Sequence, residues 1–447
     1  MRPALPSATY TTLPPVGPPG SLADRCSSPI RLAGERLTLN RDTGEIVERF
    51  ASTDAPFGVV LLACGNRRAS RCQSCSDVYR HDAYALVRAG VAGDAERGVP
   101  IDVSTHPRVF ATFTAPSFGA VHRRVVRGTS LLPCRARSGE ESCVHGRPIS
   151  CPVRHEANDQ AVGQPLCPAC YDYTGAVLWN AEVGALWRRT TIAMTRLLAA
   201  RAGVPRSEIG RLVRLSFVKV AEFQTRGLVH LHVILRLDGP GPRPTAPPTW
   251  ATSELLSEIV AAAAVQTSLR TQRPDGTPLL VRWGVQLDVR PIRAGSEGEG
   301  SDTSVAGYLA KYATKAAESA GGADRPLRSP YEIGLLPVSP HARAMMATAW
   351  SLGADRRYEH LRLRAWAHML GFRGHFLTKA RRYSVTFGYL RTARVRYRAN
   401  LAMIARGING VPAMAEESTL VIRAFAFAGV GAPSLADLVG HQDGSAP

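Results

Sequence analysis

Acidic residues are scarce in this 447-residue sequence: 36 Asp and Glu stand against 55 Lys and Arg, leaving a formal net charge of +19 and a pI near 10.1. Such an excess points to a polyanionic partner. Long apolar runs are also missing. The best, Ile259 to Val265, falls far short of the ~20 uncharged residues of a membrane-spanning helix, and Met1 to Leu22 is rich in Pro, Ser and Thr without the continuous apolar core of a secretion signal. The expectation is a soluble, cytoplasmic protein with reduced thiols and no membrane partner. No Gly-Lys dipeptide occurs anywhere, which rules out a GxxxxGK[ST] loop and a fused P-loop helicase; no ATP site is expected.

What is present is ordinary globular material. With 45% apolar and 20% charged residues, the chain can bury a sizeable core, and its length suits two or three domains.

The nine cysteines are an odd number for a full disulfide set, and in a reducing compartment paired CxxC units point to metal. Cys72-Gln-Ser-Cys75 and Cys167-Pro-Ala-Cys170 each have the spacer that lets two thiolates take two corners of a zinc tetrahedron. Two divisions are open. The units form one four-cysteine site across a long insertion, or each recruits ligands from Cys64, Cys134, Cys143, His145, Cys151 and His155.

Along the chain, residues 1–55 read as a Pro-rich, polar, loosely tethered leader. Arg108 to Thr114 alternates β-branched and aromatic residues as a buried strand does. Trp187 to Gly203 has helical periodicity. Leu212 to Phe223 and Leu228 to Leu237 read as a hairpin, Thr252 to Arg270 as a helix, Leu279 to Ile292 as strand and Ser304 to about Ala317 as a helix. This mixture predicts an α+β fold, an antiparallel sheet flanked by helices. The expected division is 1–55 leader, 56–320 zinc-stapled sheet domain and 321–447 basic, largely helical region with a flexible tail.

Within the hairpin, alternation puts His230, His232 and Ile234 on one face of the strand. A three-residue turn, Thr225-Arg226-Gly227, pairs Gln224 with Leu228 and therefore Glu222 with His230, because Gly takes the left-handed position such a turn prefers. Directly opposed residues share a side with Cβ atoms roughly 5 Å apart, so one carboxylate and two imidazoles converge within reach of one Mg²⁺ or Mn²⁺ and leave coordination positions open. Further on, Tyr308, Lys311, Tyr312 and Lys315 recur at i, i+3, i+4 and i+7 along one helical stripe. Phenol and ammonium together are poor core material and good phosphate-handling material. From Arg328 to Arg398 basic residues outnumber acidic ones, with Trp350, Tyr358, Trp366, Phe372, Phe376, Tyr383 and Tyr389 interleaved. That pattern suits phosphate contact and base stacking, with Arg373, Lys379, Arg381 and Arg382 as expected DNA contacts; the bland alternative is a basic helical cap with a buried aromatic face.

Three blocks together, Phe110-Ala-Thr-Phe-Thr114, Glu222 with His230-Leu-His232, and Tyr308-Leu-Ala-Lys-Tyr-Ala-Thr-Lys315, resemble the HUH endonucleases that initiate rolling-circle replication. The pattern around them, including Thr114-Ala-Pro-Ser-Phe-Gly119, Cys167-Pro-Ala-Cys-Tyr-Asp-Tyr173 and Gly371-Phe-Arg-Gly-His-Phe376, resembles the initiators of actinobacterial plasmids and integrative elements. The resemblance spans about Cys64 to Thr386. It implies that His230, His232 and Glu222 bind the catalytic cation and that Tyr308 and Tyr312 are the nucleophiles. Lys311 and Lys315 would serve the scissile phosphate. Apart from the resemblance, the cysteine spacings themselves offer Cys64, Cys72, Cys75, Cys134, Cys143, Cys151, Cys167 and Cys170 as ligands of structural Zn²⁺. Implied partners are origin DNA in single-stranded or extruded form, a host helicase and a host DNA polymerase. A conjugative relaxase or transposase shares the chemistry, and a non-enzymatic zinc-containing DNA-binding regulator is the reading of another class.

Overall fold

The computed structural model describes residues 23, 25–136, 141–293, 302–314, 321–405 and 419–433. The chain divides into two compact units, 1–82 with 386–447, and 83–385. In the first, β1 (Ile30–Asn40) pairs antiparallel with β2 (Ile46–Ala51) and with β3 (Val60–Leu62). Helix α1 (Gln73–Ala92) then carries the chain from the first unit into the second.

The second unit opens with β4 (Arg108–Phe113) and the short pair β5 (Val125–Arg127) and β6 (Ser130–Leu132), followed by the long helix α2 (Tyr173–Arg201). The hairpin β7 (Arg214–Phe223) and β8 (Val229–Asp238) comes next, then α3 (Ser253–Gln266), the ribbon β9 (Ser268–Gln272) and β10 (Pro278–Arg282), and β11 (Leu287–Pro291). Helices α4 (Asp302–Ala313), α5 (Pro330–Leu335), α6 (Pro340–Leu352) and α7 (Leu363–Trp366) precede β12 (Leu377–Lys379). The chain returns to the first unit with α8 (Phe387–Ala405) and β13 (Thr419–Val430), which pairs along the length of β1.

The organising element is a five-stranded antiparallel sheet in the order β11-β4-β8-β7-β12. Its two faces differ because strand side chains alternate. Val109, Ala111, Phe113, Leu231, Val233 and Leu235 face the main core with residues of α2 and α3. The other face runs from Arg108 and Arg236 at one end through Phe110 and Ile234 to Thr112, His232 and His230 at the other. At the first end Arg236 lies fully buried: Nε meets Asp238 Oδ1 at 2.6 Å, and Nη1 donates to the Gly90 carbonyl of α1. Arg108 donates to the Val91 carbonyl. Two guanidinium groups thus satisfy last-turn carbonyls that have no partner inside the helix and complement its negative end. Gly90 is required here, since a Cβ would fall 2.1 Å from the Tyr383 ring.

The α+β expectation is met by this mixture of helices and antiparallel sheet. Other boundaries move. The segment read as a loose leader carries β1 and β2, whose partner β13 lies at the far end of the sequence, where no local pattern announces the pairing. Residues 321–385 stay in the unit of the large sheet, supplying its edge strand β12, so the chain does not divide at 320. The helix expected to reach Arg270 stops at Gln266 because residues 268–272 are needed as β9. The strand expected over 279–292 is two strands in different sheets, broken at Gly284, where a Cβ would meet the Ala115 carbonyl oxygen at 2.8 Å. Among the described residues no helix is long and apolar enough to cross a membrane.

Candidate metal and tyrosine site

The hairpin turn has the anticipated form. The Gln224 N–H donates to the Leu228 carbonyl at 2.8 Å, the Gly227 N–H donates to the Gln224 carbonyl at 2.9 Å, and Gly227 has φ +73°. Glu222 therefore stands opposite His230, and Val220 opposite His232. Buried Asn180 of α2 pins the hairpin: its amide donates to the Gly227 carbonyl at 2.9 Å and accepts from the Val229 N–H at 3.1 Å. No sequence motif marks Asn180; only its place in the otherwise apolar, buried run Gly175 to Ala181 of α2 sets it apart.

Glu222 Oε2 lies 3.3 Å from His230 Nε2 and 3.0 Å from His232 Nε2. The three ligand atoms all lie within 4.8 Å of one another. The far nitrogen of His232, Nδ1, is 3.1 Å from the Thr112 hydroxyl of β4. With Nδ1–H donating to that hydroxyl, the Nε2 lone pair is aimed at the cluster. His232 is buried, while His230 is partly open.

Helix α4 lies against this end of the sheet. The Tyr308 ring meets His232 edge-on at 5.2 Å and Phe110 edge-on at 5.7 Å, Tyr312 lies 5.3 Å from His232, and the two phenols are 4.4 Å apart, centroid to centroid. The helix thus brings both tyrosines to the same imidazole. Desolvation comes first among the causes that raise the Tyr308 phenol above its ordinary range, followed by its hydrogen bond to Tyr312, the adjacent phenol's charge and the Glu222 carboxylate. Lys311 is exposed on the same helix, and Lys315 lies outside the described residues. The chain has four lysines in all, Lys219, Lys311, Lys315 and Lys379, so two of the four lie within three residues of Tyr312 in the sequence.

The expected DNA contacts separate. Arg373, Arg381 and Arg382 are all exposed, Arg382 donating to the Gly241 carbonyl at 2.8 Å and Arg373 to the His360 carbonyl, whereas half-buried Lys379 donates to the carbonyls of Arg381 and Ser384 at 3.2 and 2.7 Å. Burial pushes the Lys379 ammonium down to about 8. Tyr358, Phe372, Phe376 and Tyr383 are buried, so these rings pack the interior rather than stack on bases. The aromatic spacing was that of a core.

The cysteines gather with histidines into three groups whose ligand atoms lie within 4.8 Å of one another: Cys26, Cys64, Cys72 and Cys75; His122, Cys134, Cys151 and His155; and Cys143, His145, Cys167 and Cys170. The two CxxC units belong to different groups, so a single four-cysteine site joining them is not formed. Cys26 and His122 were missed. The odd cysteine count hinted at the former, and nothing in the spacing marked the latter.

The profile of a family described as "Replication initiator protein, pSAM2" (RepSA) matches residues 21–439. A replication initiator protein of Streptomyces ambofaciens is 47% identical over 379 residues, covering 83% of this chain and 78% of that protein. No solved structure matches significantly. On the span of that profile and the extent of that identity, the chain belongs to the RepSA family of replication initiator proteins.

Proposed function

We propose that this initiator starts rolling-circle replication by nicking one strand of its origin DNA, and later rejoining it, through a phosphotyrosine link. The observation that carries the reading is the convergence of Tyr308 and Tyr312 on His232, an imidazole shared with Glu222 and His230. One carboxylate oxygen and two imidazole nitrogens, one of them oriented by Thr112, fit Mn²⁺ or Mg²⁺ and are too few to close a coordination shell. When bound, the cation supplies Lewis-acid polarisation of the scissile phosphate.

The rest falls to the chain's own side chains. Partial desolvation, the hydrogen bond to Tyr312 and the Glu222 charge raise the Tyr308 phenol, so it enters the reaction protonated. The phenol then loses its proton to solvent, its oxygen bonds to phosphorus, and the bond from phosphorus to the 3′-oxygen breaks. The departing 3′-oxygen takes up a proton. The products are a 5′-phosphotyrosine and a free 3′-hydroxyl that a host polymerase extends. Tyr312, one ring away, is placed to cleave the regenerated origin at the same locus. Attack of the freed 3′-hydroxyl on the phosphotyrosine restores the phenol and joins the ends without ATP. Lys311 supplies positive charge along the stripe, and a host helicase unwinds the duplex, since the sequence holds no P-loop. Membership of an initiator family favours replication over relaxation or transposition.

Incubation of the protein and Mn²⁺ with supercoiled DNA carrying the element's origin should give a nicked circle with protein on its 5′-end, and peptide mapping should find the adduct on Tyr308 or Tyr312. Absence of an adduct with every fragment of the element, or undiminished cleavage by a Tyr308→Phe, Tyr312→Phe double variant, would refute the mechanism.

A further inference from the structure

The stretch between Ala115 and Tyr171 presents a folding problem. Among its described residues no Val, Leu, Ile, Phe, Met or Trp is buried; the buried side chains are Cys134, Cys151, Cys167, His155 and Pro165. Its regular structure is β5 with β6, three residues each, one 3-10 turn at Pro168–Cys170, and three isolated bridges, Val121 with Pro165, Arg135 with Cys151, and Ser142 with Pro148. So little burial cannot offset the conformational entropy of ordering it. In the first unit Cys26, Cys72 and Cys75 form a small cluster of their own, packed with Ala63 and Cys64. In both places sulfur stands where apolar side chains would otherwise be.

The distances say what completes them. With Zn–S near 2.3 Å and Zn–N near 2.05 Å, a tetrahedral ion sets S···S at ~3.8 Å, S···N at ~3.6 Å and N···N at ~3.4 Å. In the first group the S···S separations are 3.7 Å for Cys64–Cys75, 3.7 Å for Cys26–Cys72 and 3.8 Å for Cys26–Cys75. The second has Cys151 Sγ 3.5 Å from His155 Nε2, His122 Nδ1 3.2 Å from His155 Nε2, and Cys134 Sγ 4.0 Å from His122 Nδ1. In the third, His145 Nδ1 lies 3.2 Å from Cys170 Sγ and 3.8 Å from Cys167 Sγ. Disulfides, at ~2.05 Å, do not fit these separations, and sulfurs this close leave no room for a polynuclear iron–sulfur cluster between them.

The surroundings agree. His155 holds its second nitrogen 2.6 Å from Asp159 Oδ2, the carboxylate–histidine arrangement that orients zinc ligands. Backbone N–H groups of Cys64, Asn66 and Arg123 donate to the sulfurs of Cys26, Cys64 and Cys134 at 3.3, 3.4 and 3.2 Å, which stabilises thiolates.

We infer that the chain carries three separate structural zinc ions, one Cys₄, one Cys₂His₂ and one Cys₃His, which together use all nine cysteines. They replace a hydrophobic core in the parts of the chain that have none. The inference is independent of the nicking chemistry. Because Cys170 and His145 of the Cys₃His group are exposed while Cys134, Cys151 and His155 of the Cys₂His₂ group are buried, the Cys₃His ion is the first to be lost to a chelator.

The full chain, purified under reducing conditions and dialysed against mild chelator to clear weakly held hard cations, should retain three zinc per chain by elemental analysis. A His230→Ala, His232→Ala variant should still retain three, which separates these ions from anything bound beside the tyrosines. Cys26→Ser, Cys134→Ser and Cys167→Ser should each lose one equivalent and leave the other two. Two or fewer ions in the wild type, or one variant losing two, overturns the assignment. Where a variant fails to fold, cobalt substitution of the wild type decides instead. Charge-transfer intensity expected for nine thiolate–cobalt bonds over three ions supports it, and six or fewer refutes it.

Discussion

Thr112 is not itself a ligand, yet it sets how His232 presents itself. The Thr112 hydroxyl sits 3.1 Å from His232 Nδ1, on a strand whose register places it directly opposite His232. Replacing Thr by Val keeps the volume and branching and deletes the acceptor. The imidazole then loses the bond that favours the Nδ1–H tautomer, and a buried N–H is left without that acceptor. Loss of one such partner costs about 1–3 kcal/mol, and outer-shell substitutions weaken metal binding by ~10–100-fold, which is the same range on a logarithmic scale. The expected outcome for Thr112→Val is therefore a Mn²⁺ half-saturation for nicking raised ~10–100-fold, with the rate at saturating Mn²⁺ within about threefold of wild type, since the tyrosines are untouched. The assay is an Mn²⁺ titration of nicking on origin DNA. Unchanged half-saturation would refute the role of Thr112, and a rate loss that saturating Mn²⁺ does not restore would place the defect in the tyrosines or the fold.

Other expectations follow from the same geometry. Asp238 accepts from Arg236 and Ser216 and lies 2.9 Å from His106 Nδ1, so Asp238→Asn, which strands a buried guanidinium, should lower unfolding free energy by about 3–5 kcal/mol in denaturant titrations. Burial is the main cause holding the His341 imidazole below its usual pKa. Protonation therefore favours the unfolded chain, and stability should fall as pH drops below about 6.5; His341→Gln should flatten that part of a melting-temperature profile. Removing zinc with a strong chelator should open residues 116–170 to protease before the five-stranded sheet, as read by the order of cleavage products. Phe110 packs edge-on against Tyr308 and stacks on His232 at 6.0 Å, so Phe110→Ala should slow nicking by an order of magnitude or more through misplacement of the phenol and should raise the Mn²⁺ half-saturation as well, as an Mn²⁺ titration of nicking would read.

How far the sequence could be read depended on whether the deciding interaction was local. The pairing of Glu222 with His230 was legible because a three-residue turn and strict alternation fix a hairpin register by themselves. The tyrosine stripe was legible for the same reason, since four side chains at helical spacing need no partner to share a face. Convergence of that stripe on His232 was not, because α4 reaches the site across a connection whose length says nothing of direction. The strand β1 was invisible since β13, its longest partner, lies almost four hundred residues on. The aromatic residues between Arg328 and Arg398 misled for a different reason: composition reports that rings are present, whereas only packing decides whether a ring such as that of Tyr383 is a stacking surface or, as here, part of the interior.

The sheet's second face shows why the site stands where it does. Strand β8 is paired along its whole length by β7 and from Leu231 to Arg236 by β4, so His232 sits on backbone hydrogen-bonded at both edges with His230 just beyond it, the rigid kind of support a ligand site needs. The opposite end of that face is closed by the buried Arg108, Arg236 and Asp238 and the carbonyls of α1. A charged network there costs desolvation that an apolar filling would not, but it fixes one register for three strands at once, because Arg236, Ser216 and Arg108 must all align for the Asp238 and helix-end bonds to form. A slip of one residue in β7 or β4 would break that network and would also carry Glu222 or Thr112 to the far face. Register errors that would destroy the proposed metal site are thereby penalised at the opposite end of the same face, and part of the net charge of +19 serves architecture.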